Sequence, residues 1–175
     1  LPSIAAENIE PAITAKEIEI GSWLEAQEAD MLELLERITN INSGTLNKSG
    51  VDELATIFRA ELISLGFSIS ILPGDLIEMP SCPGSNYNID VTDHLLASNT
   101  GQGQKLLLMG HLDTVFPLSS PFQKFRREGD IMFGPGVADM QGGLVVMLYA
   151  LKALQEFGEL AEKNITVLLN SDEEI

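Results

Sequence analysis

The sequence has a single cysteine, ten basic residues against 26 acidic ones, and no uninterrupted apolar run longer than LVVMLYAL at 144–151. Each shortage excludes something. Cys82, in MPSCPGS, cannot close a disulfide within the chain and has no partner at metal-ligand spacing, so it reads as a plain loop thiol. The apolar run falls far short of the roughly 20 residues a membrane-spanning helix needs, so the chain reads as soluble and no membrane partner is expected. A formal charge of -16 repels phosphate backbones and anionic headgroups, which excludes nucleic acid and draws cations toward any carboxylate cluster.

What is present points to a globular core: 45% of residues are hydrophobic and only 21% charged, a balance that argues for one compact domain rather than disorder. The chain starts at Leu1, and LPSIAAENIEPAITAKE reads as a mature N-terminal tail, with residues 1–20 set apart from a folded part at 21–175. This leaves the cytoplasm and export (periplasmic or secreted) both open.

Ser22 followed by Trp-Leu-Glu has the pattern of a capping box, and Leu24, Met31, Leu35 and Ile38 recur behind it at helical spacing. After the loop INSGTLNKSG, the stripe Val51, Leu54, Phe58, Leu62 and Leu65 predicts a second amphipathic helix stopped by Gly66. FSISIL predicts a strand, ILPGDLIEMPSCPGSN a loop, and YNIDV and HLLAS two strands of an antiparallel excursion. KLLLMG lacks alternation, as expected of a strand buried on both faces, and FRREGDIMFG predicts a hairpin about Gly129. A helix apolar most of the way round runs from Gly142 to Phe157, and NITVLLN is the next buried strand. The predicted fold class is therefore α/β, with a mixed, largely parallel central sheet.

In such sheets functional groups gather beyond the C-terminal ends of strands. Two strands end in unusual polar sequences: KLLLM runs into Gly110-His111-Leu112-Asp113, and ITVLLN into Ser171-Asp172-Glu173-Glu174. The Gly-rich segment GPGVADMQGG adds Asp139 at the entrance to the apolar helix. One imidazole among several carboxylates suits zinc or a similar divalent ion, and Asp113 is spaced to receive the second ring N–H of His111. Each element alone also fits a plainer role: a structural His-x-Asp pair, a turn aspartate, a solvated Glu-Glu pair. The Gly-rich loop is not a dinucleotide site, because Asp139 stands where a third glycine is needed and its charge repels a pyrophosphate. Glu173 and Glu174 can share one site only if the strand has ended before them, since neighbours on a strand point to opposite faces.

The ordered series GHLDTVFP, GPGVADMQGG opening a helix, and a strand into NSDEE resembles the di-zinc metallopeptidase family of glutamate carboxypeptidases, aminoacylases and acetylornithine or succinyl-diaminopimelate deacylases. INSGTLNKSGVDELATIFRAELISLGF and FRREGDIMFGPG extend the resemblance from about Glu25 to Ile175, and the glutamate carboxypeptidase branch looks nearest. The resemblance implies a three-layer α/β sandwich. It makes His111 a ligand of one zinc, Asp139 a carboxylate bridging two, Glu174 a ligand of the other, Glu173 the general base and Asp113 the partner of His111. It further implies a cis peptide after Asp139, two zinc ions per complete site with cobalt or manganese as substitutes, and cleavage of the amide of an N-acyl amino acid or short peptide. A biosynthetic deacylase such as an acetylornithine deacetylase shares these motifs.

The family completes its site with a further acidic residue and a histidine near the C-terminus, and carries a smaller domain used for homodimerisation. None of these is found in residues 1–175, so an incomplete catalytic domain holding half a site, inactive alone, is expected. His94 precedes the first motif and reads as structural or exposed. A reading from another class remains beside these: a non-catalytic acidic remnant that binds a partner or one cation.

Overall fold

KLLLMGH and NITVLLN lie side by side and parallel, which brings both polar strand ends to one edge. The computed structural model describes residues 13–81 and 85–175, so Cys82 and residues 1–12 of the expected tail lie outside it. The chain forms α1 (Ala15–Ala26), α2 (Glu28–Thr39), α3 (Lys48–Ser64), β1 (Ser68–Leu72), β2 (Leu76–Ser81), β3 (Ser85–Asp90), β4 (His94–Thr100), β5 (Lys105–His111), β6 (Arg126–Glu128), β7 (Ile131–Phe133), α4 (Gly142–Glu156) and β8 (Asn164–Asn170).

Helix formation begins earlier than expected. Thr14, not Ser22, caps α1: the Glu17 N–H donates to Thr14 Oγ1 while the Thr14 N–H donates to the Glu17 carboxylate. Ser22 sits inside that helix with its hydroxyl donating to the Ile18 carbonyl, and residues 15–20 are helical rather than tail. The expected single helix is broken at Gln27 into two, and only α2 buries residues, with Leu34, Leu35 and Ile38 in the core. α3 ends as Gly66 predicts. That residue has φ +83°, the Phe67 N–H reaches the Leu62 carbonyl and the Gly66 N–H that of Ile63, a Schellman closure.

The main sheet has the order β1-β4-β8-β5. The β1/β4 and β4/β8 ladders are antiparallel and β8/β5 is parallel, so the sheet is mixed as expected but mostly antiparallel in its pairings. Its packed face carries Leu95, Ala97, Ile165, Val167 and Leu169 against Val51, Leu54 and Phe58 of α3 and Leu144, Leu148 and Leu151 of α4. The other face is half-exposed along β4 and β8. Among the described residues the core thus has two layers, not the three of a full sandwich. β5 is an edge strand here, with Leu107 58% and Met109 60% exposed, so the absence of alternation in KLLLM marks apolar side chains on both faces and not their burial.

β2 and β3 form a separate antiparallel ribbon, which corrects the loop expected over Leu76–Ser81. Pro80 lacks an N–H to donate, and a two-stranded ribbon, all edge, tolerates that. β6 and β7 form the hairpin about Gly129, as predicted. The 20-residue run Val137–Glu156, with mean hydropathy 1.3, is long and apolar enough to cross a membrane by length and composition alone, unlike the shorter run counted from sequence. Yet Asp139 and Met140 leave helical φ/ψ, and Leu144, Leu148 and Leu151 are fully buried in the protein core, so it is a kinked core helix.

Candidate metal centre

The parallel register places His111 opposite Asn170, and the Leu112 N–H donates to the Asn170 carbonyl at 2.7 Å, so β5 and β8 finish together. β8 ends at Asn170, and residues 171–174 turn beyond it, the condition for Glu173 and Glu174 to face one site. Between the two strands, a π-helical turn at Val137–Gln141 leads into α4 and carries Asp139. The peptide between Asp139 and Met140 is cis, as the resemblance implies.

Close approach at Gly110 allows this geometry. A Cβ there would stand 2.6 Å from Leu144 Cδ2 and 3.1 Å from Met140 Cε, so glycine lets the start of α4 lie against the end of β5 without displacing those side chains. The His111 backbone N–H points at Met140 Sδ, 3.4 Å away.

His111, Asp139 and Glu174 each offer a ligand atom within 4.8 Å of the other two. His111 Nε2 lies 3.0 Å from Asp139 Oδ1. The imidazole is buried whereas the Asp139 side chain is 78% exposed, so the group opens to solvent on the aspartate side. A borderline nitrogen donor with two carboxylates, converging from three separate segments, fits a divalent ion such as zinc. Glu173 is exposed and lies outside this group.

Asp113 has a wider task than the one expected of it. His111 Nδ1 is 3.1 Å from the Asp113 carbonyl and 3.4 Å from its carboxylate, so the backbone oxygen is the nearer acceptor. The fully buried carboxylate instead accepts the Glu173 N–H at 3.2 Å, the Glu174 N–H at 3.0 Å and the Thr45 hydroxyl at 2.7 Å. The sequence reading missed Thr45, which the loop INSGT delivers by pairing with the His111–Thr114 segment: the Thr114 N–H donates to the Ser43 carbonyl and the Thr45 N–H to that of Thr114. It also missed Gln141, 1% exposed, whose amide donates to Ser43 Oγ and ties the Asp139 turn to the same loop. Thr45 stands in a polar loop and Gln141 at a helix entrance, and neither belongs to a ligand pattern.

The charges are coupled. Burial alone pulls the His111 pKa down, but hydrogen bonds to the Asp139 carboxylate and the Asp113 carbonyl, with the charges of Asp113 and Glu173, outweigh it and leave the pKa above the usual histidine value. Burial first, then the negative charge of Asp139, holds the Glu174 carboxyl above the ordinary range, with His111 opposing.

Residues 107–175 match the peptidase family M20/M25/M40. Carboxypeptidase G2 of Pseudomonas sp. is 36% identical over 151 residues, which is 85% of this chain and 33% of that protein. Succinyl-diaminopimelate desuccinylase of Leptothrix cholodnii is 32% identical over 151 residues, 82% of this chain and 36% of that one. Human carnosine dipeptidase 1 superposes with a TM-score of 0.74 at 15% identity, over 90% of this chain and 35% of that structure, a likeness of fold. The chain spans about a third of the length of these relatives. With its ordered motifs at the shared strand edge and these likenesses, the chain belongs to peptidase family M20/M25/M40, of whose catalytic domain it spans part.

Proposed function

We propose that this chain forms the N-terminal part of a zinc-dependent exopeptidase of the carboxypeptidase kind, which hydrolyses the amide bond of N-acyl amino acids or short peptides. The observation that carries the reading is the convergence of His111, Asp139 and Glu174 within 4.8 Å. In it His111 and Glu174 would each hold one ion, with Asp139 as the carboxylate shared between them. Metal bound there supplies Lewis acidity, polarising the scissile carbonyl and making the attacking water more acidic.

The chain's own residues do the rest. Glu173, exposed beside the group, takes a proton from the attacking water and passes it to the leaving amine. Asp113 fixes the backbone of both glutamates, so base and ligand move as one unit. Its carbonyl accepts the Nδ1–H of His111, which selects the tautomer whose Nε2 faces the ligand group. Carboxypeptidase G2 shares 36% identity over 85% of this chain, which favours a peptidase. The 32% likeness to a succinyl-diaminopimelate desuccinylase keeps an N-acyl amino acid deacylase as the second reading.

Glu173→Gln in the active protein tests the assignment. Turnover of an N-acyl amino acid and dipeptide panel should fall by about 10²- to 10⁴-fold with zinc content unchanged, and full turnover by the variant would sink the role. The substrate turned over fastest separates peptidase from deacylase.

A further inference from the structure

His94 belongs to no ligand group and stands at the start of β4, one residue before the Leu95/Leu169 pair that aligns β4 with β8. From there it reaches past the end of β8 to Ser171. His94 Nδ1 is 2.9 Å from Ser171 Oγ, and Ser171 is fully buried. The Ser171 hydroxyl donates to the Thr92 carbonyl, and its N–H donates to Asn170 Oδ1 at 2.6 Å. One assignment satisfies all these contacts: Nδ1–H of His94 donates to Ser171 Oγ, which passes its own proton on to Thr92. The 3.3 Å approach of the Ser171 nitrogen to Nδ1 is then no hydrogen bond, since both nitrogens carry hydrogens.

This network completes a clamp along the turn. Asn170 Oδ1 also accepts the Asp172 N–H at 3.2 Å, and Asp113 accepts those of Glu173 and Glu174. Every N–H from 171 to 174 is thus held by a side chain. Of these anchors, Asn170 belongs to the turn's own strand and Asp113 to the loop after β5, whereas His94 comes from β4, the opposite neighbour of β8, and Thr92 from the segment that leads into it.

We infer that His94 is a positioning residue for the metal centre: through Ser171 it fixes the start of the turn that presents Glu174. The inference rests on reading His111, Asp139 and Glu174 as ligands. A neighbour that orients a ligand from outside the coordination shell typically changes metal affinity by about 10- to 100-fold when removed. Asparagine can replace the imidazole, since its side-chain amide places a donor near the position of Nδ1.

The test measures zinc affinity of the 175-residue chain by competition with a chromophoric chelator, and the visible spectrum of the cobalt(II)-loaded chain, for wild type, His94→Leu, His94→Asn, Ser171→Ala and His111→Ala. His94→Leu and Ser171→Ala should each weaken zinc about tenfold and shift the cobalt bands at unchanged far-ultraviolet circular dichroism, and His94→Asn should return to within about twofold of wild type. Wild-type affinity and cobalt spectrum in a folded His94→Leu overturn the inference. If His94→Leu does not fold, Ser171→Ala, which removes a single oxygen, decides it by the same criteria. His111→Ala reports on the ligand reading itself: zinc held as tightly as by wild type overturns both, whereas a weakened His111→Ala beside an unchanged His94→Leu overturns the positioning role alone.

Discussion

The Asp113 carboxylate accepts the Glu174 N–H at 3.0 Å, linking the loop after β5 to the turn after β8 through one buried charge. The same carboxylate accepts the Glu173 N–H and the Thr45 hydroxyl, so all its partners are donors. Asp113→Asn keeps the shape but turns one acceptor oxygen into an NH2 group that faces donors. Leaving a buried polar group unsatisfied costs about 1–3 kcal/mol, and disturbing a group that orients ligands lowers metal affinity about 10- to 100-fold. Denaturant unfolding and zinc titration should show both losses together. A stable variant with wild-type zinc affinity would mean that Asp113 organises nothing.

Zinc uptake should release protons, because an ion replaces the proton that charged His111 carries on Nε2 toward Asp139, while Nδ1–H stays on the Asp113 carbonyl. The His111 pKa lies above its ordinary value, so the metal-free site is still protonated at pH values where a free histidine is not. Proton release per zinc should therefore be large below the raised pKa and fade as pH rises through it, and apparent affinity should climb over that window. Titration calorimetry in buffers of different ionisation enthalpy, from mildly acid to pH 9, measures this directly. The same upward shift makes His111 stabilise the metal-free fold below the ordinary histidine pKa and lose that contribution as pH rises through the folded value. Removing zinc with a chelator should expose that loss in melting curves. A proton count that does not change with pH contradicts the coupling.

The five candidates were chosen because each stands near a strand end or helix entrance, where a polar residue interrupts an apolar pattern, and three of them, His111, Asp139 and Glu174, lie together in the structure. KLLLM into His111 and ITVLLN into Glu174 show that interruption most plainly, and the parallel register confirms that the two ends meet. The contacts that organise them were not legible. Thr45 lies 68 residues before Asp113, and His94 lies 77 before Ser171, distances at which only the folded sheet decides who meets whom. Local signals misled in two places. Ser22 matched a capping box, but Thr14 with Glu17 offered the same box nearly three helix turns before the apolar stripe begins at Leu24. Pro80 spoke for a loop, yet a strand in an isolated ribbon needs few donors.

The core itself gives a sharp stability test. Leu148 is 1% exposed on α4, on the face packed against the sheet. Truncating a fully buried leucine removes its transfer energy and leaves a cavity, costing about 2–5 kcal/mol. Leu148→Ala should unfold at much lower denaturant, with the slope of the transition unchanged. Val146, on the same helix but 61% exposed, provides the contrast, and its change to Ala should stay within about 0.5 kcal/mol.

Gly110 offers the last test, because it separates damage to the site from damage to the fold. Any side chain there meets Leu144, whose full burial leaves it little room to move, and Met140, the residue joined to Asp139 by the cis peptide. Gly110→Val should cost about 1–3 kcal/mol by overpacking, and should push the start of α4 away from β5. Asp139 travels with that segment while His111 stays on the strand, so zinc affinity should fall further than in Leu148→Ala, even when the two variants are equally destabilised. Gly21 sets the other bound. Nothing lies within 4 Å of a Cβ built there, in the middle of α1. Gly21→Ala should raise stability by about 0.5–1 kcal/mol and leave zinc affinity unchanged. If zinc affinity merely follows stability across all three variants, the close approach at Gly110 supports the fold alone; if Gly110→Val falls off that line, the strand end and helix entrance set the geometry of the metal centre.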